Sequence, residues 1–96
     1  MLQIERDEAG RVVMRGRLDA TQAAAAQAQL DAHTGVVTLH CAALEYLSSA
    51  GLGVLLKTHK RLLGSGGRLR LESLNPHLRD ILAHSGFDQI LEIAGG

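Results

Sequence analysis

The stretch Leu44-Glu45-Tyr46-Leu47-Ser48-Ser49-Ala50-Gly51-Leu52-Gly53-Val54-Leu55-Leu56 decides how this chain is read. It follows an apolar run, Val36 to Cys41, that predicts a strand, and it opens a leucine pattern that predicts a helix. Two hydroxyls, Ser48 and Ser49, therefore stand where a turn becomes a helix. Backbone N–H groups are free at that end, and the helix dipole gives it partial positive charge. Such a place suits a helix cap, and it equally suits a phosphate.

The helix predicted downstream runs from Ala50 to Leu63. Leu52, Leu55, Leu56, His59, Leu62 and Leu63 recur at spacings of three and four, the mark of one buried stripe. At 3.6 residues per turn, Ala50, Gly53, Val54, Lys57 and Arg61 fall on the opposite side. Small residues, an exposed valine and two cations then flank Ser49, which reads as a docking face. As a plain helix cap, Ser49 would contribute about 1 kcal/mol and nothing more.

Working outward, Leu2-Gln3-Ile4-Glu5 and Arg11 to Leu18 alternate around Asp7-Glu8-Ala9-Gly10, which predicts a β-hairpin. Asp19 precedes Ala20-Thr21-Gln22 with the spacing of a capping box, Gln22 reaching back. A helix over Thr21 to Ala32 follows, rich in Ala and Gln and poor in large anchors, and Gly35 ends it. Past the central helix, Gly64-Ser65-Gly66-Gly67 is a loop and Arg68-Leu69-Arg70-Leu71-Glu72 a strand with one wet face. Asn75-Pro76 opens a helix that carries Leu78, Ile81 and Leu82 inward and stops at Gly86. Ile90 to Ile93 is a short last strand. The order is ββαβαβαβ, an α/β fold with a mixed β-sheet and helices packed mainly on one face, in a single domain over 1–96.

Composition removes several classes of function. Ten basic and ten acidic side chains cancel, and Tyr46 and Phe87 are the only aromatics, so neither the basic field nor the stacking rings of a nucleic-acid binder are present. The amino end has no charged leader and no run of ~18 apolar residues, so no membrane insertion or export is expected and the location expected is cytoplasmic. A lone Cys41 agrees with a reducing compartment. The histidines at 33, 40, 59, 77 and 84 show no ligand spacing with one another or with Cys41, so no metal is expected, and His59 reads as a packed core histidine. Gly51-Leu52-Gly53 is neither GxGxxG nor a P-loop, and Ser49 lacks the first glycine of a nucleophile elbow. No cofactor and no enzymatic activity are expected.

With the residues set out, the chain resembles the STAS domain, the module shared by anti-sigma factor antagonists and the tails of sulfate transporters. The matching stretches are Arg15-Gly16-Arg17-Leu18-Asp19 (the family's Gly-x-Leu-Asp), Ser48 to Leu56, His59 to Leu62, Gly67-Arg68-Leu69 and Ser85-Gly86-Phe87. They span essentially the whole chain. The family's central element is Asp-Ser-Ser/Thr-Gly-Leu, whose first serine accepts a phosphate from an anti-sigma kinase. The resemblance makes Ser49 that acceptor, with Ser48 at the aspartate position, Ala50 at the second hydroxyl, and Asp19 and Thr21 in the neighbouring loop.

What the resemblance implies is a switch. Unmodified, the domain would bind an anti-sigma factor, a serine kinase of the histidine-kinase-like ATPase fold, through Ser49, Ala50, Gly53, Val54 and Lys57, and so free a sigma factor. Phosphorylated, it would let go. The alternative is a STAS subunit of a phospholipid-transporting ABC transporter, docking the same face on the ATPase subunit. A scaffold subunit of a stress-sensing assembly is a third reading.

Overall fold

The computed structural model describes residues 2–94; Met1, Gly95 and Gly96, which the one-domain reading also takes in, lie outside the described residues. The elements are β1 (Leu2–Arg6), β2 (Val12–Leu18), α1 (Ala23–Leu30), β3 (Val36–Leu47), α2 (Ser49–Gly64), β4 (Arg68–Glu72), α3 (Pro76–Ser85), a 3₁₀ turn (Phe87–Gln89) and β5 (Glu92–Ala94). The order ββαβαβαβ is the one the sequence predicts.

The five strands lie side by side in chain order. The β1–β2 hairpin is antiparallel and the remaining pairs are parallel. Each parallel pair is joined through one helix, and crossovers of one hand between successive neighbours leave every helix on the same side of the sheet. Burial along the strands agrees. Val37, Leu39 and Cys41 of β3 and Leu69 and Leu71 of β4 join Leu30, Leu55, Leu62, Leu78 and Leu82 from the helices in one core.

The opposite sheet face carries charge, most of it paired within the face. Arg11 meets Asp7 and Glu72, each at 2.8 Å, and His40 Nδ1 lies 2.7 Å from the same Glu72 oxygen. Arg15 approaches Glu5 at 3.4 Å, and Arg68 and Arg70 share Glu92.

Four local expectations are corrected. Helix α1 is shorter than Thr21 to Ala32, and no capping box forms. Asp19 Oδ1 instead accepts from the Thr21 amide at 3.0 Å and the Thr21 hydroxyl at 2.7 Å, while Gln22 at the cap position makes no side-chain bond. A short carboxylate that satisfies itself two residues on holds the chain in a turn and delays the helix.

Strand β3 does not stop at Cys41 but continues to Leu47, pairing with the second half of β2. Two register irregularities interrupt that pairing, between Val13 and Arg15 and between Gly16 and Arg17. Such bulges break the two-residue period, which is why Ala42 to Leu47 does not read as strand. Gly16 takes φ 99° in mid-strand, a conformation that favours glycine.

The last strand begins two residues late. The Ile90 and Leu91 amides both donate to Phe87 O, at 3.0 and 2.8 Å, so these residues belong to the turn.

The stripe on α2 is broader and rotated. Val54, placed on the open side by the leucine spacing, is only 5% exposed, whereas Leu63, placed in the stripe, is 54% exposed and Leu56 is half-buried. Helix α1 packs on the flank of α2 and covers Val54 and Thr58, a contact no periodicity within α2 reports. His59 is buried as expected, though its Nδ1 has no partner among the described residues.

Candidate functional site

The first turn of α2 is built by two contacts. Ser48, not Ser49, is the N-cap: its extended backbone (φ −86°, ψ 175°) leads into the helix and its hydroxyl oxygen accepts the Gly51 amide at 3.1 Å. The Ser48 amide donates to Leu18 O at 3.0 Å, which ties the β3–α2 junction to the end of β2. Gly51 completes the join, since a Cβ there would lie 2.6 Å from Leu18 O and 2.9 Å from Leu18 Cγ. The sequence Ser-Ser-Ala-Gly therefore holds the start of α2 directly against the residue that precedes Asp19.

With Ser48 committed to the cap, Ser49 becomes the first helical residue and is exposed. The reading of Ser49 as a cap is thus corrected, and its hydroxyl makes no hydrogen bond among the described residues. No acidic residue stands in the first turn of α2, so nothing on the helix itself offsets the positive end of its dipole. In the adjoining loop the carboxylate of Asp19 is held by Thr21. The Thr21 hydroxyl keeps the Asp19 carboxyl below its ordinary range. Asp19 and Thr21 thus flank the Ser48–Ser49 turn through Leu18 but are bonded to each other.

Below Ser49 a groove of about 640 Å³ runs between α1 and α2. Ala50, Gly53, Val54 and Lys57 form its α2 wall, so four of the residues expected on the docking face share one surface. Val54 contributes from the floor as a buried side chain rather than as an exposed knob. The α1 wall, with Ala24, Gln27, Ala28 and Asp31, was not legible in the sequence, because a four-alanine run carries no directional pattern.

A polar lattice fixes the spacing of the two walls. Gln27 Nε2 donates to Asp31 at 3.0 Å and to the buried Thr58 hydroxyl at 3.1 Å. Arg61 donates to the Leu30 and His33 carbonyls at 3.0 and 2.8 Å and pairs with Asp31 at 3.3 Å. The expected cation at Arg61 is therefore spent on the end of α1, and Lys57 is the exposed cation lining the groove.

The chain's one thiol plays no part here. Cys41 is 1% exposed, and burial pushes its pKa up to about 12, which keeps it protonated and inert. Among the described residues no helix is long and apolar enough to cross a membrane.

The fold is shared with known proteins. A family profile described as "Mlab, STAS domain" matches residues 1–92. A Bordetella bronchiseptica protein described as an anti-sigma factor antagonist, BtrV, is 42% identical over 67 residues, covering 70% of this chain and 58% of that protein. The chain thus spans less than two thirds of that relative's length. An anti-sigma factor antagonist from Mycobacterium paratuberculosis superposes with a TM-score of 0.80 at 20% identity, over 100% of this chain and 86% of the other. The Bacillus cell fate determinant SpoIIAA in its phosphorylated form gives 0.68 at 23% identity, over 99% and 92%. These structural likenesses establish a common fold.

Proposed function

The chain belongs to the STAS domain family, and from that premise we propose that it is a non-enzymatic, phosphorylation-switched interaction module acting as an anti-sigma factor antagonist. Its partner in this reading is an anti-sigma factor, a serine kinase of the histidine-kinase-like ATPase fold, whose capture frees a sigma factor. Ser49 is the phosphoacceptor. The partner lies on Ser49, Ala50, Gly53 and Lys57 at the mouth of the α1–α2 groove, with Val54 beneath them.

The observation that carries the reading is the division of labour between the two serines. Ser48 takes the structural duty of the cap, which leaves Ser49 exposed on the first helical turn. A phosphate added there brings about −1.5 to −2 charges to the centre of the docking face. The free N–H groups and dipole of α2 would hold that phosphate, while an acidic partner surface would be repelled. The description of BtrV as an anti-sigma factor antagonist supports the partner class.

A second reading keeps the face and changes the partner to the ATPase subunit of a phospholipid-transporting ABC transporter. Ser48 favours it, because the aspartate that precedes the acceptor in the family's phosphorylated element is missing here.

Capture of partners on the tagged chain in its own cells, followed by mass spectrometry, separates the two. A histidine-kinase-like ATPase together with a phosphopeptide containing Ser49 is the expected result. An ABC ATPase with Ser49 unmodified would support the second reading, and neither partner would contradict both.

A further inference from the structure

The sheet face that carries no helix has a dent of about 430 Å³ near the far end of β2 and β3. It is lined by Arg15, Arg17 and Glu45 around Gly16 and Ala43, which place little bulk above the sheet. Arg15 is paired with Glu5 at 3.4 Å, which leaves Arg17 and Glu45 as the dent's unpaired charges among the described residues. The register irregularities between β2 and β3 lie at this level. Arg17 is paired in register with Tyr46, and its guanidinium stacks on the Tyr46 ring at 4.4 Å from the centroid. Stacking holds the planar cation in one orientation and leaves its N–H edge free.

Charge on the rest of this face is paired within it, but Arg17 and Glu45 have no ion-pair partner among the described residues, and they do not pair with each other. Opposite, unsatisfied charges on one dent make a surface complementary to its own copy under a two-fold rotation, where residue i meets j and j meets i. An acidic peptide would satisfy Arg17 and be repelled by Glu45, and a basic one the reverse. Arg and Tyr are also the residue types that anchor interfaces.

We propose that the dent is the two-fold contact of a homodimer in which Arg17 of each copy meets Glu45 of the other. The contact is small and polar, so the dimer is weak and salt-sensitive. It lies on the side of the sheet away from the helices, so both copies keep the Ser49 face open and the dimer offers two partner sites at once.

Sedimentation equilibrium of the full chain tests this without any partner, from about 10 µM to about 1 mM at low salt. The wild type is expected to dimerise with a Kd on the order of 100 µM. Arg17→Glu and Glu45→Arg each weaken the dimer about tenfold or more, since each reversal acts twice in a symmetric contact. The double variant Arg17→Glu/Glu45→Arg dimerises more tightly than either single variant but more weakly than wild type, because the charges again match while the stack on Tyr46 is lost. Both side chains are exposed, so melting temperatures of all variants should match and confirm that the fold is kept. A wild type monomeric throughout the range, single variants that dimerise as well as wild type, or a double variant that stays monomeric would each overturn the proposal.

Discussion

A methyl group on Gly51 would lie 2.6 Å from the carbonyl oxygen of Leu18, closer than a carbon can approach a backbone atom without displacing it. The start of α2 and the end of β2 are therefore fitted to a glycine. Gly53, two residues on, has nothing within 4 Å of its Cβ position. Gly51→Ala is expected to destabilise the fold by about 1–3 kcal/mol, the range of overpacked sites. Gly53→Ala should instead stabilise it by about 0.5–1 kcal/mol, through helix propensity. Urea unfolding of both variants checks the contrast, and equal shifts would mean that α2 sits farther from Leu18.

The rotated stripe on α2 gives a second test. Leu55→Ala removes a side chain that is 1% exposed and should cost about 2–5 kcal/mol. Val54→Lys places a charge where only 5% of the side chain is accessible, and a loss of about 2 kcal/mol or more is expected. Lys57→Ala, on the exposed side, should stay within roughly 0.5 kcal/mol. A harmless Val54→Lys would return Val54 to the open surface that the leucine spacing alone suggests.

Acid should weaken the fold through Glu72. Its hydrogen bond with His40 and then its bond from Arg11 hold the Glu72 carboxyl below its ordinary value of 4.5. Asp7 moves the same way: burial opposes the shift, but the Arg11 amide and guanidinium outweigh it. A carboxylate with a depressed folded pKa contributes stability above its unfolded pKa and loses it as pH falls through the folded value. Stability should then decline from about pH 4.5 downward. Glu72→Gln should be less stable than wild type near neutral pH and converge with it in acid, as read by urea unfolding across that range. Parallel pH curves for the two proteins would show that the cross-strand cluster contributes nothing.

How far the sequence carried these assignments depended on local pattern. Arg68 to Glu72 alternates strictly and is a strand at those residues, and Asn75 caps α3 by accepting the Leu78 amide at 2.8 Å, with Pro76 at the first position, as its residue types predict. Strand β3 was legible only to Cys41, because beyond it the period is set by bulges against β2. The alanines of α1 gave no direction, so the α1 wall of the groove and the burial of Val54 stayed hidden. Ser48 and Ser49 are chemically identical in sequence, and only the Gly51 amide decides which is the cap.

The central claim is that Ser49 switches docking on this face, and calorimetric titration against the purified histidine-kinase-like ATPase partner tests it most directly. Wild type and Ser49→Ala should bind alike. Ser49→Asp, with about one charge in place of two, and Gly53→Glu should each bind about tenfold more weakly or worse, a loss of roughly 1.4 kcal/mol. The enzymatically phosphorylated protein should bind weakest. Equal affinities for wild type, Ser49→Asp and phosphorylated protein would contradict the account and leave Ser49 as only the first residue of a helix.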